Sequence, residues 1–153
     1  MTEAIQRYLE AIDATATVRK RQNELLDLMR PLCPEPIEEI FLTDYLADGL
    51  RTYENLWAFG ANYVMEAKKF LSQVQLDLTW YRGKTKWVEW TWEDFVPPDS
   101  VEAGASMHVK TSLTDGLAFD MRATGHNCAE LYDLIRRRVL PGIGPSAKDA
   151  GQH

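Results

Sequence analysis

The sequence predicts an α+β fold: an N-terminal helix or helices, then a bent seven-stranded antiparallel sheet or partly open barrel, capped by a C-terminal helix. Three observations point there. Apolar residues recur at helical spacing up to Pro31, the period falls to two after Pro36, and helical spacing returns once more after Asn127. At 153 residues the chain has the length of one ordinary domain, and 45% hydrophobic against 26% charged residues is a globular composition.

The helical section covers residues 3–30. Ile5, Tyr8, Leu9 and Ile12 mark one apolar stripe, and Leu25, Met29 and Leu32 mark a later one. Between Asp13 and Asn23 the stripe thins, and Thr15 and Thr17 are weak helix formers. Both one long helix and two shorter ones with a break near Thr15 fit this pattern. As one rod of ~28 residues it would span about 42 Å and offer a surface to a second copy. Pro31, Pro34 and Pro36 end it.

The strands follow in order. Glu38–Tyr45 places Ile40 and Leu42 on one face and Phe41 and Tyr45 on the other, and Asp48-Gly49 turns the chain. Arg51–Phe59 aligns Tyr53, Trp57 and Phe59, and Gly60-Ala61-Asn62 leads into Tyr63–Phe70. Leu76–Tyr81 is joined through Arg82-Gly83-Lys84 to Thr85–Phe95, the cleanest alternation in the chain. After a loop at Val96-Pro97-Pro98-Asp99-Ser100, Ser106–Leu113 and Leu117–Ala123 form a last hairpin around Thr114-Asp115-Gly116. A helix from Cys128 to Val139 carries Leu131, Leu134, Ile135 and Val139 as its stripe. Asn127 is its expected cap, with Glu130 three residues on, and Pro141-Gly142 its stop.

The hairpin NLWAFGANYVMEAKKF and the ending NCAELYDLIRRRVLPGI together resemble the pleckstrin-homology-like superfold, a bent sheet closed at one end by a C-terminal helix. The resemblance covers residues 37–143, leaving 1–32 as a helical extension and 144–153 as a tail. It implies a module that binds a peptide or protein. Lipid-binding members of the superfold carry clustered bases in the loop between the first two strands. Here that loop reads Asp44-Tyr45-Leu46-Ala47-Asp48-Gly49, so a phosphoinositide is not the expected ligand. The helical start IQRYLEAIDA also resembles the nuclear-transport-factor-like cone fold, which opens with helix and hosts small-molecule pockets. A cavity lined by Tyr53, Trp80 or Trp90 would favour that alternative.

Charge narrows the partners. The net charge is −6, and residues 33–75 hold three basic against seven acidic side chains. Phosphate backbones and anionic membranes call for a basic face, and Lys84 with Lys86 and Arg136–Arg138 are short clusters. No strong binding of nucleic acid or anionic membrane is expected. Two cysteines far apart and no export signal predict reduced thiols and a cytoplasmic protein.

The residues show no catalytic, cofactor or metal signature, and the expectation is a non-enzyme. Cys128 beside His126 reads as the start of an apolar stripe, since a free cysteine behaves as a small hydrophobe. His108 lies on the polar side of its strand and needs a partner from another strand to do chemistry. Glu89 and Glu93, about 13 Å apart along a strand, are too far from each other to share one reacting centre. Trp87, Trp90 and Trp92 are the candidate contact residues. Alternation sends Trp90 and Trp92 one way and Trp87 the other, so one face offers either a partner anchor or a seat for the N-terminal helix.

Overall fold

The computed structural model describes residues 2–33, 35–47, 50–70, 78–81, 85–94, 106–113 and 118–139. For residues 47, 78–81, 85–94, 111–113, 118–119 and 139 the description is of the backbone. The chain divides into two units, Met1–Tyr81 and Arg82–His153. Each is taken by itself.

The first unit opens with two helices, α1 (Glu3–Ala11) and α2 (Ala16–Met29), followed by a 3₁₀ turn at Arg30–Leu32. The break is chemical. Asp13 takes a left-handed φ of 53°. Its N–H bonds to the carbonyl of Glu10 at 3.0 Å, and that of Ala14 reaches Leu9 at 2.9 Å. These two bonds form a Schellman stop. Thr15 then restarts the helix, its hydroxyl accepting from the Val18 N–H at 3.2 Å. Thr2 caps α1 in the same way through Ile5. Of the two arrangements that the sequence allows, the chain adopts two helices.

Four strands form an antiparallel sheet in chain order: β1 (Glu39–Ala47), β2 (Leu50–Phe59), β3 (Val64–Ala67) and β4 (Leu78–Tyr81). The β1–β2 register runs through Leu42 opposite Leu56 and resumes with Asp44 opposite Tyr53, so Thr43 alone faces both Glu54 and Asn55. This is a β-bulge. Strand β3 is shorter than the expected Tyr63–Phe70 because Lys69 turns to φ 59°. The amides of Lys69 and Phe70 then bond to Asn55 Oδ1 and to the Glu54 carbonyl.

The core of this unit joins Ile5, Tyr8 and Leu9 of α1 and Leu25, Leu26 and Met29 of α2 with Phe41, Leu42, Leu56, Trp57 and Phe59 of the sheet. Each fully buried Leu, Ile or Phe contributes about 1.5–3 kcal/mol by leaving water. Residues 39–44 are buried without interruption, so the simple inside–outside alternation expected of β1 does not hold. Ile5, Tyr8, Leu9 and Ile12 are buried, as are Leu25 and Met29, but Leu32, expected to continue the later stripe, is exposed, as is Leu28.

The second unit holds β5 (Thr85–Asp94), β6 (Ser106–Leu113) and β7 (Ala118–Thr124) in one antiparallel sheet, then α3 (Asn127–Leu134) with a π-helical turn at Ile135–Val139. Helix α3 packs on β7. Met107, Val109, Met121 and Ala123 are buried, as are Cys128, Leu131, Leu134 and Ile135 of the helix. Here the alternation does hold: Met107 and Val109 are inside, and Lys110 is exposed.

Two expectations are corrected. Among the described residues the strands do not make one bent seven-stranded sheet or partly open barrel. They divide into sheets of four and three, and no ladder among the described residues joins β4 to β5 or closes a barrel. Alternation specifies each strand and its faces locally, whereas the choice of sheet partners is made by packing between distant segments. Asn127 does not cap α3. It is the first helical residue and is fully buried, while His126 occupies the cap position without a side-chain bond. The expected turns at 48–49, 82–84 and 114–116, the loop at 96–100, the stop at 141–142 and the tail 144–153 lie outside the described residues.

One position in α2 goes against the apolar pattern. The Gln22 side chain is fully buried, and both its Nε2 and its Oε1 lack a hydrogen-bond partner. A buried, unsatisfied amide costs about 1–3 kcal/mol. Gln22→Leu is expected to raise unfolding stability by about 1 kcal/mol or more. Urea denaturation of the two proteins measures this as a shift in midpoint at constant slope.

Candidate functional site

A cleft built by several elements opens on the described surface of the first unit. It has a volume of about 420 Å³ and is lined by Thr2, Ile5, Arg30, Cys33, Glu35, Pro36 and Ile37. The start of α1, the 3₁₀ turn and the segment leading to β1 meet there. Its polar groups already have partners within the unit. The Thr2 hydroxyl accepts from Ile5 and donates to the Glu38 carbonyl at 2.9 Å. Arg30 Nη1 lies 2.8 Å from Asp27, and the Cys33 thiol donates to the Met29 carbonyl at 3.3 Å. The Glu35 carboxylate accepts from the backbone N–H of Asn62 at 2.8 Å and from its Nδ2 at 3.2 Å.

Behind the cleft, Tyr63 is buried and its hydroxyl donates to the Glu35 carbonyl at 3.0 Å. Burial raises the Tyr63 phenol above its ordinary value, and hydrogen bonding with Cys33 and the nearby Glu35 and Glu38 act in the same direction. Its ring lies against Gly60, where a built Cβ would come within 2.0 Å of the ring. The turn therefore requires glycine for close approach. With the lining carboxylate and guanidinium each engaged, the cleft presents the apolar faces of Ile5, Pro36 and Ile37 more than it presents a charged centre.

A second polar group sits at the other end of α1. Asp44 is fully buried and pairs with Arg51 Nε at 3.2 Å. Arg51 Nη1 also donates to the Ile12 carbonyl and to the Tyr53 hydroxyl, each at 3.4 Å. Burial works against the Arg51 charge, but Tyr53 and Asp44 outweigh it and raise its value further. The result is a strut between helix and hairpin. Tyr53, a candidate cavity wall by sequence, is buried beside the Phe70 ring at 6.1 Å. The Trp80 and Trp90 side chains lie outside the description.

Of the predicted contact residues, Trp87, Trp90 and Trp92 fall on β5, in register with Ser112, Val109 and Met107 respectively. Their side chains also lie outside the description. His108 acquires the cross-strand carboxylate that its chemistry would need: Asp120 Oδ2 on β7 is 3.6 Å from Nε2. That separation is too long for a hydrogen bond. Asp120 is more than half exposed, whereas His108 Nε2 is buried and has no hydrogen-bond partner. Cys128 is buried, and its thiol donates to the Ala123 carbonyl at 3.4 Å. His126 is exposed beside it.

Among the described residues no group of three or more His, Cys, Asp or Glu is placed to hold a metal ion. Arg137 is held by Asp133 at 2.7 Å, and Arg136 lies over the Tyr132 ring at 5.6 Å. Local partners thus engage both of these side chains. Sequence reasoning missed Arg30, Cys33 and Glu35 as neighbours of one cleft, because only the return of α2 toward the start of β1 brings them to the first turn of α1.

Two measurements test the Gly60–Tyr63–Glu35 arrangement. Gly60→Ala forces the ring off its bond to Glu35 and is expected to cost about 1–3 kcal/mol in urea denaturation. The raised phenol means that the unfolded chain ionises Tyr63 first. Its contribution is therefore intact below pH 10, the ordinary phenol value, and falls as pH rises above it. The loss of stability as pH rises above about 10 should be shallower in Tyr63→Phe than in the parent chain. No protein-family model, curated protein or solved structure matches this chain.

Proposed function

We propose that the chain is a non-catalytic module that binds a protein or peptide partner through the apolar end of the β1–β2 hairpin. The observation that carries this reading is the exposure of Tyr45 (36%) and Leu46 (42%) at the end of β1 and of Leu50 (71%) at the start of β2. Leu46 pairs with Arg51 and Ala47 with Leu50, so the three large apolar residues occupy neighbouring rungs. Tyr45 and Leu50 share one face of the ladder and Leu46 lies on the other, so this hairpin end is apolar on both sides.

The cleft supports the same reading by its chemistry, since its charged groups are engaged internally and leave few handles for a polar substrate. Both Cys33 and Cys128 are free thiols, which suits the reducing cytoplasm. Among the described residues, no helix is long and apolar enough to cross a membrane.

Affinity capture with quantitative mass spectrometry, comparing the parent chain with Leu46→Lys/Leu50→Lys, tests the proposal. The doubly substituted chain should keep its circular-dichroism spectrum and lose a captured partner by about tenfold or more. Equal capture by both chains, or turnover of a small metabolite by the purified protein, would overturn it.

A further inference from the structure

The exposed end of the β1–β2 hairpin is held at its root by one side chain. On one face of the ladder, Asp44 and Leu46 of β1 pair with Tyr53 and Arg51 of β2, so these four side chains stand together. Exposure rises along this face toward the hairpin end. Asp44 and Tyr53 are buried, the Arg51 side chain is 28% exposed, and Leu46 is 42% exposed. Arg51 thus stands between the buried part of the face and its apolar surface.

Three groups meet its guanidinium there. Nε stands 3.2 Å from the Asp44 carboxylate on the neighbouring strand. Nη1 donates to the Tyr53 hydroxyl and to the Ile12 carbonyl, each at 3.4 Å. Asp44 directly precedes Tyr45 and Arg51 directly follows Leu50, so the ion pair closes the base of the segment that carries all three exposed apolar residues. The bond to Ile12 fastens that base to the end of α1, where Asp13 turns the chain through its left-handed φ. A guanidinium suits the place because its flat fork serves several acceptors at once, whereas an ammonium is a point charge.

We propose that Arg51 is the positioning residue of this hairpin end, and that it holds Tyr45, Leu46 and Leu50 in the arrangement a partner meets. A surface that is ordered in advance loses less freedom on binding, and that saving appears as affinity. Arg51 acts through Asp44, through its own strand and through one carbonyl of α1, and it is not one of the apolar contacts. This inference rests on the reading of the hairpin end as the contact surface and adds to it the residue that orders that surface.

Arg51→Lys in the full chain separates charge from reach, because a lysine keeps a cation for Asp44 but cannot supply Nε and Nη1 together. Its urea midpoint should stay close to that of the parent chain. The amides of residues 45–47 and 50–52 should exchange with solvent about tenfold faster or more, while those of residues 40–42 and 56–58 keep their rates. Capture of a partner that the parent chain retains and Leu46→Lys/Leu50→Lys loses should fall severalfold. Should Arg51→Lys fail to fold, Tyr53→Phe carries the same readouts, since it removes one acceptor of Nη1 and leaves the ring beside Phe70. Unchanged exchange at the hairpin end, acceleration shared equally by the whole sheet, or undiminished capture despite faster exchange each rules out the positioning role. Equal capture by the parent chain and Leu46→Lys/Leu50→Lys tells instead against the contact surface itself, whatever the exchange pattern.

Discussion

The first unit depends on how it handles a single mismatch between β1 and β2. Thr43 faces two residues, so the ladder loses regular bonds at that point, and the part-buried groups set free find a side-chain partner. The Thr43 hydroxyl accepts from the Asn55 N–H at 3.1 Å and donates to the Asn55 carbonyl at 3.4 Å. It replaces the missing rung with a side chain. The Asn55 side chain is then free to donate to the buried Glu66 at 2.8 Å and to accept from the Lys69 amide. One irregular residue therefore organises contacts that reach from β1 to just past the end of β3.

Buried charge is handled nearby in the same way. Asp44 has no exposure of its own, and it is tolerable in the interior because Arg51 stands at 3.2 Å. Arg51 in turn reaches the helix through Ile12 and the sheet through Tyr53. Removing Arg51 takes this compensation from a fully buried carboxylate, the situation in which such pairs cost most. Gln22 is the contrast, a polar group of the same unit with no such provision.

Much of this was legible in the residues themselves. The α+β content, the helical sections at both ends and the approximate strand positions follow from periodicity, because that signal is local. The stripe Leu131, Leu134 and Ile135 is buried as its spacing requires. The stop after α1 was half legible: Thr15 is a good cap by type, but Asp13 in a left-handed conformation gives no sequence signal as a glycine would. The division into two sheets was not legible, since it depends on which distant strands meet. Nor was the bond from Arg51 to the Ile12 carbonyl, which needs the end of α1 to lie beside β2. The tryptophans of β5 drew attention by size and alternation, whereas the exposed Tyr45, Leu46 and Leu50 are visible only once burial is known.

The turn after β2 has a practical bearing. Gly60 admits the Tyr63 ring, Tyr63 holds the Glu35 carbonyl, and the Glu35 carboxylate grips Asn62. A hairpin tip is usually the first place an engineer would graft an epitope or attach a dye. In this protein that tip is tied to the chain segment entering β1. A label placed there would report on the seating of the helical pair as well as on its own surroundings.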